Sequence, residues 1–300
     1  MERYISSVVL ELRINMFFDS HTHPYITFKK SPENILEHFF WDHPKNMCVS
    51  IACDIETSLK SIELAKRYPR LKATVWFHPC DIPYTSLNSS YNTCLNSLLQ
   101  GEIKLQITEL KNIYQKNKQH IVAIWETGLD YYHLAKISEK IQLSEEDIKH
   151  IQEIYFRAQI HLTYELGLPF VIHSRESNSE VLDILKQEDA DNYVFHCYSG
   201  DWDFTQKVLN QNPQALFGFW GTLTFNKPHD LQEVARKLPL KHIILETDSP
   251  FLTPEPLRGR EENEPLYVSH VLTKLQELRD ESPEEVERVV FENARRFYGI

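Results

Sequence analysis

Residues 14 to 25 read INMFFDSHTHPY. An apolar run stops, and Asp19, His21 and His23 then occupy alternate positions. Side chains at period two share one face of a strand. One carboxylate and two imidazoles on such a face describe either a metal site or a solvated sheet edge. The remainder of the chain decides between them.

Seven more runs of the same kind follow: MCVSIA (47–52), ATVWF (73–77), IVAIW (121–125), PFVI (169–172), YVF (193–195), ALFGFW (215–220) and HIIL (242–245). Each is short, rich in β-branched or aromatic residues and nearly continuous. Strands buried on both faces of a parallel sheet have that texture, whereas half-exposed strands alternate. Helical spacing fills the gaps. Ile55, Leu59, Ile62 and Ala65 share one face, as do Ile148, Ile151, Tyr155 and Leu162. Val181, Leu182 and Leu185 form a third such set, and Val268, Val271, Leu272 and Leu275 follow the eighth run. Ser282-Pro283-Glu284-Glu285 combines an N-cap serine, proline at the first helical position and a capping-box glutamate. Strand and helix alternating eight times predict an α/β fold, a (β/α)8 TIM barrel. Residues 80–119 are too many for a simple crossover and contain NSSYNTCLNS (88–97) before a helical stretch. An insertion between strands 3 and 4 is therefore expected.

Three hundred residues at 42% hydrophobic composition suffice for one large barrel. The expected domain runs over 16–300, with 1–15 as a short N-terminal extension and Met16 as an alternative start. The opening MERYISSVVLELRIN has an apolar patch between charges but no small-residue cleavage pattern, so it does not read as a signal peptide. No apolar run is long enough for a bilayer span. Cys48, Cys53, Cys80, Cys94 and Cys197 are odd in number and lack CxxC pairing, which fits reduced thiols in a cytoplasmic protein. A formal net charge of −11 argues against a protein that coats nucleic acid or binds anionic membranes. A nuclease survives that test, because bound cations reverse the local potential.

Active sites on this barrel sit at the C-terminal ends of the strands. His21, His23, His78, His173 and His196, five of the 14 histidines, follow closely on apolar runs. Asp19, Glu126 and Asp248 stand at comparable places. Singly each has a plain explanation: Asp248 caps a helix, and Asp130 in GLDYY caps or fixes a loop. Together at one mouth they are costly unless a divalent cation compensates the buried carboxylates. Imidazole with carboxylate favours Zn²⁺, Mn²⁺, Mg²⁺ or Fe²⁺ over a thiolate-bound structural zinc. Strand alternation turns Cys197 away from the side that His196 faces. The donors outnumber the needs of one tetrahedral ion, so two ions about 3.5–4 Å apart are expected.

Eight motifs in order now resemble a known family: DSHTH (19–23), FHP (77–79), ETGLDYY (126–132), Gln152, Phe156 and Gln159 at four- and three-residue spacing, LPFVIHSRES (168–177), FHCYSG (195–200), LETDSPFLTP (245–254) and NEP (263–265). They look like the TatD-type metal-dependent hydrolases, a barrel branch of the amidohydrolase superfamily that includes 3′–5′ deoxyribonucleases. The resemblance implies that His21 and His23 hold one ion, Glu126 bridges, and His173 and His196 hold the second. It implies also that Asp248 joins the first ion and acts on the water. Where the family has glycine before the bridging glutamate, this chain has Trp125, which alternation aims outward against the helices. The family's leucine and acidic residue after the HxH pair are replaced here by Pro24 and Tyr25, altering the rim.

The resemblance thus implies a hydrolase using two divalent ions (Zn, Mg or Mn) on phosphodiesters of single-stranded DNA ends, with Asp248 and Glu126 catalytic. Arg175 and His78 are the expected phosphate contacts, although Arg175 has an equal alternative in an ion pair with Glu176 or a neighbouring helix. Tyr25, Tyr131, Tyr132 and Tyr198 either stack on a frayed base or simply pack. Two other classes stay open, because one site chemistry serves many substrates. One is an amide or ester hydrolase, D-aminoacyl-tRNA deacylation included. The other is a non-catalytic partner protein that keeps the barrel for interaction.

Overall fold

A computed structural model describes residues 16–26, 29–75, 77–82, 95–226 and 229–300. The expected extension at 1–15, and residues 83–94 of the expected insertion with Cys94, lie outside them. Eight parallel strands run in chain order: β1 (Phe18–Thr22), β2 (Met47–Ser50), β3 (Leu71–Val75), β4 (Ile121–Asp130), β5 (Phe170–Arg175), β6 (Tyr193–Phe195), β7 (Leu216–Phe219) and β8 (Ile243–Leu245). A bridge between Thr22 and Ser249 brings the end of β1 against the chain after β8, and Ser20 Oγ donates to Leu245 O at 2.9 Å. The ring is a (β/α)8 barrel.

Helices cover it: α1 (Pro32–Asp42), α2 (Ile55–Arg67), α3 (Leu95–Asn117), α4 (Leu134–Ile141), α5 (Glu145–Leu166), α6 (Asn178–Gln187), α7 (Trp202–Gln211), α8 (His229–Lys237), α9 (Val268–Leu278) and α10 (Pro283–Tyr298). Their starts follow local chemistry. Ser31, Asp54, Ser144 and Ser282 each accept a backbone N–H from the first turn, and Ser282 does so as its sequence promised. In α3, Leu110 packs into the layer between strands and helices, while Leu99 and Ile103 pack with Ile137 and Ile141 of α4. The long segment before β4 thus provides a crossover helix and a support for α4.

Period two sorts each strand into an outer and an inner face. Outward residues such as Ile124, Ile172, Phe195, Phe217 and Leu245 meet the helices. Inward residues Phe18, Val49, Ile51, Ala123, Val171, Val194 and Ile244 form a separate cluster with Phe291, Ala294, Phe297 and Tyr298 of α10. On β5, β6 and β8 the inward set continues upward into His173, His196 and Glu246, two residues on.

Trp125 corrects the outward placement expected for it. It belongs to the inner cluster, stacked on Tyr298 at 5.9 Å and edge-on to His21 at 4.9 Å. The register of β4 against β5 shifts between Trp125 and Thr127, and Glu126 has φ 37°. That irregularity lets Trp125 continue the inward set from Ala123 while Glu126 also reaches the mouth.

Candidate metal centre

The C-terminal ends of the strands open onto a cavity of about 810 Å³, lined among others by His23, His78, Glu126, Asp130, His173, Arg175, His196 and Asp248. The donors arrive on several different strands. β1 ends in the HxH pair, β4 supplies Glu126, β5 His173, and the chain after β6 and β8 supplies His196 and Asp248. Glu126, Cys197 and Asp248 have φ of 37°, 43° and 56°, the left-handed region that non-glycine residues seldom adopt. Backbone strain of this kind gathers where side chains must be aimed rather than packed.

Two groups of donors face each other. His21 Nε2 and His23 Nε2 are 2.9 Å apart, and Asp248 Oδ1 lies 3.2 Å and 3.4 Å from them. His173 Nδ1 and His196 Nε2 are 3.1 Å apart. Glu126 Oε1 stands between the groups, 3.2 Å from His196 Nε2 and 3.7 Å from His21 Nε2. Hydrogen bonding at the far ring nitrogen assigns the tautomers of His23 and His173. His23 Nδ1 donates to Ile51 O at 3.2 Å, and His173 Nε2 donates to Asp130 Oδ2 at 3.0 Å. The lone pairs of His23 Nε2 and His173 Nδ1 therefore point at other ring nitrogens. A cation in contact with these lone pairs suits the arrangement, so the donor set fits divalent metal.

Electrostatics agree. Burial lowers His21 to about 4 and takes His196 and His78 well below the ordinary imidazole range, leaving all three neutral, as the candidate ligands His21 and His196 must be. Burial, then the nearby Asp248, raises Glu126 well above the carboxylate range. Burial acts on Asp248 in the same sense, but the adjacent His21 and His23 outweigh it and hold that carboxyl below its usual value.

Several residues behave otherwise than their sequence suggested. Asp19 is fully buried off the cavity and accepts from Thr247 N at 2.8 Å and Thr247 Oγ1 at 2.7 Å, with burial pushing it up to about 8. It anchors the segment after β8 that carries Asp248. Cys197 corrects the expectation that alternation turns it away. The strand stops at Phe195, and the left-handed Cys197 lines the cavity. Arg175, on the cavity wall, makes no ion pair among the described residues; its guanidinium lies 3.9 Å over the Tyr132 ring. His78 Nδ1 accepts Cys80 N–H at 3.1 Å, and its ring meets that of His173 at 4.6 Å. Of the four tyrosines, Tyr132 is exposed beside Arg175, whereas Tyr198 is buried among Phe195, Phe204 and Phe217. Tyr131 packs beneath α4 and α5, and Tyr25 donates to Ile51 O below the rim.

Two contributors went unread. Asp130 does fix its loop, accepting His133 N at 2.9 Å, but it also orients His173. Glu246 is fully buried, accepts from Cys197 N, and is pushed up to about 8 by burial. Its signal was its position two residues after the inward Ile244. Gly218 accommodates it, since a Cβ there would lie 2.7 Å from the Glu246 carboxyl carbon.

A parallel eight-stranded barrel with neutral imidazoles and carboxylates converging at the C-terminal mouth defines the metal-dependent hydrolase class. Within that class the chain belongs to the family described as TatD related DNase, whose sequence model matches residues 18–299. It is 30% identical to the uncharacterized metal-dependent hydrolase YabD of Bacillus subtilis (strain 168) over 289 residues, covering 95% of this chain and 100% of that one. It is 34% identical to the uncharacterized metal-dependent hydrolase TatD of Mycobacterium tuberculosis (strain ATCC 25618 / H37Rv) over 253 residues, covering 84% and 85%. In fold it is similar to YJJV, a TatD homolog from Escherichia coli K12, with TM-score 0.74, 22% identity and 96% and 99% coverage. An organophosphorus hydrolase from Deinococcus radiodurans shares the architecture at TM-score 0.62 and 12% identity, covering 95% and 92%. Among the described residues no helix is long and apolar enough to cross a membrane.

Proposed function

We propose that this metal-dependent hydrolase cleaves phosphodiester bonds at the ends of single-stranded DNA, working as a 3′–5′ exodeoxyribonuclease. His21, His23 and Asp248 hold one divalent ion, His173 and His196 the other, and Glu126 lies between them. The observation that carries the reading is the facing of the two donor groups across Glu126, with a cationic and a neutral hydrogen-bond donor on the same wall. Ions held there supply Lewis-acid polarisation of a phosphoryl oxygen and a water of lowered pKa.

The protein's own groups do the rest. Asp248, held ionised beside His21 and His23, accepts the proton of the attacking water and can return it to the leaving oxygen. His78 receives the Cys80 N–H at Nδ1, so its proton sits on Nε2, available to a phosphate oxygen. Arg175 lies flat on Tyr132, which fixes the guanidinium plane and leaves its in-plane N–H fork for a phosphate. The exposed Phe251 on the cavity wall, and the exposed Tyr132 beside Arg175, offer stacking surfaces for a base. The acidic chain, net charge −11, suits an enzyme that grips a terminus through its ions rather than one that coats a duplex. Cys48, Cys53, Cys80 and Cys197 are free thiols, in keeping with a cytoplasmic location.

End-labelled single-stranded DNA, incubated with protein loaded in turn with Zn²⁺, Mg²⁺ and Mn²⁺, tests the reading. Stepwise shortening from the 3′ end is expected. Hydrolysis of chromogenic carboxyl esters, amides or D-aminoacyl-tRNA without any DNA shortening would replace it with an amide or ester hydrolase. No turnover on any of these would leave a non-catalytic binding protein.

A further inference from the structure

A second convergence of ligand atoms lies beside the mouth. We infer that Cys80, Asp130 and His133 form an additional cation site, for a zinc-class ion, joined to the proposed centre through Asp130 and using none of its six ligands. Sγ of Cys80 is 3.7 Å from His133 Nδ1, and that nitrogen is 2.9 Å from Asp130 Oδ2. All three ligand atoms lie within 4.8 Å of one another. Zinc bonds of about 2.3 Å to sulfur and about 2.0–2.1 Å to nitrogen and oxygen, at tetrahedral angles, set the sulfur about 3.6 Å from the nitrogen and the nitrogen about 3.3 Å from the oxygen. The observed separations come within a few tenths of an ångström of those spacings.

The backbone N–H of each ligand is tied down. Cys80 N donates to His78 Nδ1 at 3.1 Å, His133 N donates to Asp130 Oδ1 at 2.9 Å, and Asp130 N donates to Gln152 Oε1 at 2.9 Å. Hydrogen bonding between His133 and Asp130 accounts for one edge of the triangle and leaves the sulfur facing the same ring nitrogen. A cation satisfies all three at once. Thiolate with imidazole and carboxylate selects a borderline-soft ion of the Zn²⁺ or Co²⁺ kind over Mg²⁺, and the Cys80 Sγ–H proton passes to solvent as the sulfur–metal bond forms. Asp130 and His133 both line the cavity, so the fourth coordination position opens toward it and is free for water or a substrate oxygen. Asp130 Oδ2 has a second lone pair, with which it keeps the bond from His173 Nε2 at 3.0 Å. The additional ion is therefore linked to His173 through one shared oxygen.

Cobalt supplies the test, since sulfur bonded to Co²⁺ gives a near-ultraviolet charge-transfer absorption that nitrogen and oxygen ligands do not. Metal-free full-length protein titrated with Co²⁺ is expected to show the band, and Cys80→Ser to lose it, while Cys53→Ala and Cys197→Ala retain it. Elemental analysis after zinc loading is expected to find one ion fewer in Cys80→Ser and in His133→Gln than in the wild type. Should either variant fail to fold, the wild type answers instead: zinc is expected to protect Cys80 from alkylation, read by peptide mass spectrometry, and a chelator to restore the reaction. A wild type without the band, a Cys80→Ser variant that keeps both band and ion, or Cys80 alkylated equally with and without zinc would each overturn the site. The cobalt band concerns Cys80 alone, so it reads separately from any failure of the nuclease assignment.

Discussion

Replacing Asp130 by asparagine isolates the carboxylate that orients His173. Both of its oxygens accept: Oδ1 from His133 N at 2.9 Å, Oδ2 from His173 Nε2 at 3.0 Å and from His133 Nδ1 at 2.9 Å. An asparagine of the same shape has one acceptor oxygen, so its NH₂ must face an N–H whichever way the amide is turned. If the oxygen stays with the backbone N–H, His173 loses a charge-assisted bond worth roughly 1.5–3 kcal/mol and meets a donor instead. Its proton then favours Nδ1, the atom needed as a lone pair toward His196. Losing an outer partner of this type costs metal affinity roughly 10- to 100-fold, or about 1.4–2.7 kcal/mol. The assay is a competition titration with a chelating indicator, run in the Cys80→Ser background so that ion loss refers to the mouth cluster. Circular dichroism checks the fold. An affinity within about threefold of the parent would refute the orienting role.

Asp248→Asn is expected to drop turnover on DNA to below a few per cent while the melting temperature stays near wild type; retained activity means another group takes the proton. Gly218→Ala forces a methyl to 2.7 Å from the Glu246 carboxyl carbon, so about 1–3 kcal/mol of stability should be lost in urea unfolding, together with activity as the Cys197 anchor shifts. The metal-free protein should become less stable as pH rises from about 7 to about 8. Asp19 and Glu246, raised to about 8, bind more protons in the folded than in the unfolded chain across that window, each contributing a loss on the order of 1 kcal/mol per pH unit. His21, lowered to about 4, acts in the opposite sense, but chiefly below pH 6.5. Thermal melts with chelator present read the slope, and stability rising between pH 7 and 8 would contradict it.

The sequence by itself determined the barrel and most of the candidate site. Parallel strands buried on both faces must be short, continuous and apolar, so all eight showed against their polar surroundings. Polar residues at their ends stood out for the same reason, and the structure gathers His21, His23, Glu126, His173, His196 and Asp248 around one cavity. Tertiary structure alone decided which way side chains turn where regular alternation lapses. Trp125 keeps the inward alternation of Ala123, while Glu126 also reaches the mouth and Cys197 lies in it because both take left-handed backbone, and the shift of β4 against β5 is a property of two strands together. It also decided the partners. Asp130 and His173 are 43 residues apart, Ser20 and Glu246 226 apart, and Cys80 meets His133 across 53 residues. A period along one strand carries information about its own faces, whereas contacts between strands exist only once the ring has closed and set their register.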